Sequence, residues 1–89
     1  MAWKIELAPA ALRALKQLDP PVARRLLSFL HQRLAPLDDP RSLGAALQGA
    51  RFEGLWRYRV GDYRIIARLQ DDTLHILVVH IGHRRDVYR

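Results

Sequence analysis

The sequence predicts an α+β domain of order β-α-α-β-β-β, with a helical hairpin packed on one face of a twisted, mainly antiparallel sheet. Three observations predict it. Apolar and charged residues alternate with period two at the start of the chain, apolar residues recur at helical spacing from about residue 9 to 35, and period two returns from Phe52 almost to the end. Helices grouped before a run of strands favour a segregated α+β layer.

Trp3-Lys-Ile-Glu-Leu7 has the alternation of a strand with one buried face, which places a first strand at about 2 to 7. Pro9 suits the first turn of a helix, where its missing N–H is no loss, and Leu12, Leu15 and Leu18 follow at helical spacing to an end near Asp19. Asp19-Pro20-Pro21 reads as a restart, with aspartate positioned to cap free amides and proline just inside. The stripe Val22, Leu26, Phe29, Leu30 and Leu34 sets a second helix at about 20 to 35, with Arg24, Arg25, Gln32 and Arg33 mostly outside it. Residues 36 to 44 read as loop, because two prolines, two aspartates and a glycine interrupt the period, with a brief helical turn at about 43 to 47.

From Phe52 the strands are punctuated by Gly61-Asp62, a tight hairpin turn, and by a second turn at Asp71-Asp72. Alternation turns Trp56, Tyr58 and Val60 toward the core and Arg57 and Arg59 away from it. On the returning strand Tyr63, Ile65, Ala67 and Leu69 face one side, and Arg64, Ile66 and Arg68 the other. The nearly continuous apolar run Leu74 to Ile81 suits a central strand covered on both faces, with His80 turned to the Leu74, Ile76 and Val78 side. Arg57, Arg59 and Arg64 are thereby expected on a partly open sheet face, with the tail Gly82-His-Arg-Arg-Asp-Val-Tyr88 at its rim.

At 89 residues the chain is read as one domain over 1 to 89, without repeat, linker or low-complexity tract. Hydrophobic residues at 49% are too many for a disordered chain. The absence of cysteine removes disulfides, thiolate metal sites and a cysteine nucleophile, and fits the cytoplasm. No apolar run approaches the roughly 20 residues of a bilayer span, and Met1-Ala-Trp-Lys-Ile-Glu carries charge where a secretion signal is apolar, so neither a membrane nor export is expected. A net charge of +6, carried by thirteen arginines and only two lysines, suits a polyanion or an acidic protein partner, or serves solubility. Arginine pairs bidentately with phosphate but stays protonated, so it stabilises charge better than it abstracts a proton.

The scattered histidines form no metal-ligand spacing, and neither a phosphate loop nor an activated serine context surrounds Ser28 or Ser42, so no metal and no cofactor is expected. The last third alone concentrates arginines with His80, His83 and Tyr88. Such groups can stabilise a phosphorane and handle protons, which metal-free RNA cleavage requires. The same arginines on an exposed sheet are equally at home solvated or paired with Glu53 or Asp62. Trp56 and Tyr63 read as core anchors, His80 as a packed histidine, His75 as solvated, and His31 carries no role.

The order β-α-α-β-β-β, Trp56-Arg-Tyr-Arg-Val-Gly-Asp-Tyr-Arg64-Ile-Ile, the apolar strand to Ile81 and Gly82-His-Arg-Arg-Asp-Val-Tyr88 together resemble the RelE/ParE superfamily of type II toxins, in its RelE-like branch of mRNA interferases. The resemblance implies a RelE-like, microbial-RNase-type fold and an endoribonuclease that cleaves mRNA in the ribosomal A site by metal-independent 2′-hydroxyl attack. It also implies a cognate RelB-like antitoxin, wrapped around the toxin in a hetero-oligomer. By position, Arg57 and Arg59 match the family's paired basic residues, Arg64 its phosphate-binding arginine, Arg84 the arginine that stabilises the phosphorane, and Tyr88 the tyrosine that orients the base. The implied catalytic set is Arg59, Arg64, Arg84 and Tyr88, with Arg57, Arg68, His83 and Arg85 contacting RNA. Where well-described members have a lysine that acts as a general base, this chain has Arg59; His83, adjacent to Arg84, is the substitute considered for proton transfer, with a solvated turn histidine as its plainer role. A ParE-like gyrase inhibitor and a non-catalytic antitoxin-binding module are the alternatives, and Tyr88 favours RNA cleavage over the first.

Overall fold

A computed structural model describes residues 2–85 of the chain. Two helices pack on one face of a five-stranded mixed sheet, in the strand order β1-β5-β4-β3-β2. The strands are β1 (Lys4–Leu7), β2 (Ala45–Ala46), β3 (Leu55–Val60), β4 (Tyr63–Gln70) and β5 (His75–His83), and the helices are α1 (Pro9–Gln17) and α2 (Pro20–Ser28). The α+β class and its element order are as the sequence predicts. The sheet is mainly antiparallel, with β1 parallel to β5, and one detail is additional: a two-residue strand, β2, lies on the outer edge of β3. The turn at Pro40–Leu43 is a short 3-10 helix, and residues 45 and 46, expected in a helical turn, are this strand.

Trp3 stands just outside β1. Its amide donates to Ala35 O at 2.8 Å and its indole Nε1 to Asp38 O at 3.3 Å, so the residue ties the sheet edge to the end of the helical hairpin. Pro9 opens α1, and Ala11 and Leu15 bury its inner face. Asp19 stands at the N-cap of α2 as expected, but the restart rests on its backbone carbonyl, which accepts from Ala23 N, because its side chain makes no capping bond.

Beyond Ser28 the helix widens into a π turn, Phe29–Leu34, with Ala35 N bonded to Leu30 O, five residues back. Leu26, Leu30 and Leu34 are all fully buried. In a regular α-helix each step of four residues drifts by about 40°, and the wider turn offsets that drift, so the three leucines stay on the sheet. Each buried leucine contributes about 1.5–3 kcal/mol of transfer free energy.

Opposite them, Tyr58, Val60, Ile65, Ala67, Leu69, Ile76, Val78 and Ile81 form the sheet's half of the core. Tyr58 is fully buried, and its hydroxyl donates to Pro40 O at 3.0 Å. Burial holds the phenol's pKa up at about 12. Gly44 passes close above this ring, where a β-carbon would stand 2.7 Å from Tyr58 Cε1. Arg41 clamps the same loop to the β4–β5 turn. Its guanidinium forks onto Asp71 at 3.1 and 2.6 Å, reaches Asp39 at 3.2 Å and lies 5.7 Å from the Trp56 ring centroid. The hydrogen bonds from Arg41 hold the Asp71 carboxyl below the usual carboxylate range.

The β5 strand corrects one expectation. Ile66 pairs with His80 and Ala67 with Val78, so Val79 is an extra residue, a β-bulge. Alternation reverses across it. Ile81, not His80, joins the core face with Ile76 and Val78, and His80 turns to the opposite face.

Candidate functional site

Residues paired across strands share a face, so the register lays out the side of the sheet away from the helices in rows. Arg59, Arg64 and Gly82 form the first row, Arg57, Ile66 and His80 the second, and Leu55, Arg68 and Leu77 the third. Arg59 and Arg64 stand directly opposite one another at the hairpin end. Like charges so opposed are destabilising, which makes the pair costly unless an anion lies between or above them. Gly82 completes the row without a side chain.

The two arginines differ in environment. Arg59 is exposed, whereas Arg64 is 9% exposed and its Nη1 donates to Gly61 O at 3.1 Å and Tyr63 O at 2.9 Å. Arg64 therefore braces the hairpin with one nitrogen and retains the remaining donors of its fork. Gly61 makes the turn possible with φ of +61°. Arg57 is half-buried beside Ile66. Arg68 lies four residues along β4 from Arg64, roughly 13 Å away, and forms a separate outlying charge.

Arg84 follows β5 at the hairpin end. Its amide donates to Asp62 O at 2.8 Å, and its guanidinium stands 3.9 Å from the Asp62 carboxylate. The contact holds Arg84 beside the Arg59–Arg64 row, with an exposed side chain. Glu53 forms no ion pair with any of these arginines among the described residues.

His83 pairs with Tyr63, on the helix side of the sheet, with its ring edge-on to the tyrosine at 5.7 Å. Its Nδ1 accepts from the backbone amide of Arg85 at 3.3 Å. The structure thus separates His83 from the face that carries Arg57, Arg59 and Arg64. Tyr88 lies outside the described residues.

A second feature adjoins Arg59. A cleft of about 450 Å³ runs between the helical hairpin and the end of β3, lined by Arg25, Arg33 and Arg59 with Ser28, Gln32 and Phe29. The Arg25 guanidinium lies over Gly61, within 3.1 Å of where a β-carbon would stand. The sequence carries a signal for this wall: residues 25, 28, 29, 32 and 33 repeat at i, i+3, i+4, i+7 and i+8, the spacing of one helix face. Among the described residues no group of three His, Cys, Asp or Glu side chains is placed to hold a metal. The chemistry on offer is anion binding by arginine, on the sheet face and in the adjoining cleft.

The family model described as ParE toxin of type II toxin-antitoxin system, parDE, matches residues 5–88, which span both helices and every strand that bears the arginines. The chain belongs to the RelE/ParE superfamily of type II toxins. Within the superfamily the toxin is of the RelE family. It is 30% identical over 87 residues to Toxin RelE of Mycobacterium tuberculosis, covering 98% of this chain and 87% of that protein. It is 26% identical to Toxin RelG of the same organism, covering 100% and 99%.

Solved structures carry the same fold. The toxin–antitoxin complex RelBE2 of M. tuberculosis aligns with a TM-score of 0.85 at 23% identity, over 94% of this chain and all of the matched one. The isolated RelE toxin of E. coli aligns with a TM-score of 0.69 at 19% identity, over 92% and 84%. The RelE-RelB complex of Pyrococcus horikoshii gives 0.69 at 24%, over 98% and 100%. The RelE-family toxin therefore has the expected fold, and Arg57, Arg59, Arg64 and Arg68 lie on the sheet face that the helices leave uncovered.

Proposed function

We propose that this toxin is an endoribonuclease that cleaves mRNA in the ribosomal A site, without a metal, by attack of a 2′-hydroxyl on the adjacent phosphorus. The observation that carries the reading is the direct opposition of Arg59 and Arg64 beside Gly82, with Arg57 one row behind and Arg84 at the hairpin end. A phosphodiester seated there meets guanidinium groups from both strands of the hairpin. As the phosphorane forms, negative charge grows on its non-bridging oxygens, and fixed cations stabilise that charge more than the ground state.

Arg59 and Arg84, both exposed, supply direct donors, and Arg64, braced on the turn carbonyls, supplies a fixed one. Arg57 holds the neighbouring phosphate, while Arg68 and Arg85 lie farther out as steering charges. Tyr88 is assigned to orient the base. The chain acts in the cytoplasm as one domain over residues 1 to 89. A RelB-like antitoxin restrains it in a hetero-oligomer, as in the RelB–RelE complexes that share its fold, and an acidic antitoxin segment suits the net charge of +6.

The matched family description names ParE, which gives a gyrase-inhibiting reading its support. One design separates the two. Wild type, Arg59→Ala and Arg84→Ala are each induced, and both cleaved messages and DNA breaks trapped on gyrase are mapped. RNA cleavage predicts messages cut by wild type and a loss of roughly 100-fold in each variant, the scale of removing one transition-state donor. Trapped gyrase with intact messages supports the ParE-like reading, and neither signal supports an antitoxin-binding module without catalysis.

A further inference from the structure

We infer that His80 is the proton acceptor of this site, taking the proton of the attacking 2′-hydroxyl; the inference rests on the RNA-cleavage reading above. Arginine is too basic to fill that role, and the row that would seat the phosphate, Arg59 and Arg64, offers guanidinium groups. Imidazole titrates near neutrality and is the common side-chain base for such a step.

The bulge at Val79 is what brings His80 to the site. Regular alternation would turn its ring into the core; the extra residue pairs it with Ile66 and sets it on the face of Arg57 and Arg64. Arg64 is its diagonal neighbour across β4 and β5, a separation of about 7–8 Å between such positions, and Gly82 puts no side chain into the gap. A phosphate held on the Arg59–Arg64 row therefore has its ribose beside the imidazole. Ile66, 5% exposed, forms an apolar floor under that position.

The other histidines are engaged or distant. His75 shares the face but lies five residues away along β5, roughly 16 Å, with Nε2 on Glu6 at 2.9 Å. His83 is on the opposite face against Tyr63, and His31 is exposed on the helical hairpin. Among the described residues, no hydrogen bond or ion pair occupies the His80 ring. The charged groups that face it are Arg57 and Arg59 from β3, Arg64 and Arg68 from β4, and Lys4 and Glu6 from β1, together with His75 on its own strand.

A ring nitrogen of His80 takes the 2′-hydroxyl proton, the 2′-oxygen bonds to phosphorus, and the bond from phosphorus to the 5′-oxygen breaks. The 5′-oxygen takes a proton from water, and the imidazolium returns its own to solvent. The products are a 2′,3′-cyclic phosphate and a 5′-hydroxyl.

The test is single-turnover cleavage of mRNA on programmed ribosomes by wild type, His80→Gln, His80→Ala and His83→Gln, from about pH 5.5 to 8.5. The inference expects His80→Gln to cleave at least about 100-fold more slowly, to lose the rate increase through neutral pH, and to bind antitoxin and ribosomes as wild type does. It also expects added imidazole to restore His80→Ala in part, and His83→Gln to keep the pH profile. Thermal denaturation of His80→Gln, together with its binding, separates lost chemistry from lost fold. Cleavage by His80→Gln within about threefold of wild type, or slower cleavage with an unchanged pH profile, overturns the inference and leaves the RNA-cleavage reading standing. No cleavage by wild type overturns both.

Discussion

Replacing Ile81 and His80 one at a time by alanine tests the bulge on which the layout of the site depends. Ile81 is 2% exposed in the core cluster, whereas His80 is half-buried on the opposite face. Truncating a buried isoleucine costs about 2–5 kcal/mol, from lost transfer energy and the cavity left behind. For a domain of this size each kcal/mol moves Tm by about 4–8 °C, so a central loss of about 3 kcal/mol lowers Tm by roughly 12–24 °C. His80→Ala removes a partly solvated ring and no intramolecular hydrogen bond among the described residues, and is expected to cost less than about 1 kcal/mol. Thermal unfolding followed by circular dichroism measures both. A strand that alternated regularly through Val79 would put His80 inside and Ile81 outside, so a larger loss in His80→Ala than in Ile81→Ala would refute the bulge.

Three further outcomes follow from the loop that Arg41 and Tyr58 secure. Gly44→Ala drives a methyl into the Tyr58 ring and to 3.0 Å from Arg57 O, and should destabilise by about 1–3 kcal/mol in chemical denaturation; unchanged stability would contradict the close approach. Because the folded Tyr58 phenol titrates at about 12, above the ordinary value near 10, stability should be unaffected below about pH 10 and fall as pH rises from there through 12. Tyr58→Phe should lessen that alkaline loss while costing about 1–3 kcal/mol at neutral pH, since Pro40 O loses its donor, and an equal alkaline slope in both proteins would contradict it. Asp71 has a depressed folded pKa, so its contribution is present above the carboxylate range and lost as pH falls through it; Asp71→Asn should show a smaller Tm decrease on acidification, and the same decrease as wild type would count against the Arg41 clamp.

The fold was legible in the sequence to the extent that side chains obeyed a single period. Leu26, Leu30 and Leu34 mark the buried helix face, and the alternation in β3 and β4 sorts Arg57, Arg59, Arg64 and Arg68 from Tyr58, Val60, Ile65 and Ala67 as the structure does. What failed were features that no period records. Nothing local announces the bulge at Val79, because Leu77, Val78 and Val79 are interchangeable apolar residues, and one inserted residue reverses every face beyond it. The same slip hid His80 and moved His83 to the helix side. Ala45–Ala46 is too short and too featureless to read as a strand, and Arg41 gains its partners from residues distant in sequence. Arg25, Gln32 and Arg33 were legible as residues off the apolar stripe, but their meeting with Arg59 is made by tertiary packing. Tyr88, the residue that favoured RNA cleavage in the sequence, lies outside the described residues.

RNA cutting by the arginine-lined sheet face, proposed above, has a direct test in the RNA ends it would leave. Purified toxin and its Arg59→Ala variant, added to ribosomes programmed with a defined message, test it through the position and chemistry of new RNA ends. The account predicts a cut within the A-site codon by wild type, leaving a 2′,3′-cyclic phosphate and a 5′-hydroxyl, and roughly 100-fold slower cutting by the variant. An intact message at every toxin concentration, or cutting that Arg59→Ala leaves unchanged, would contradict it.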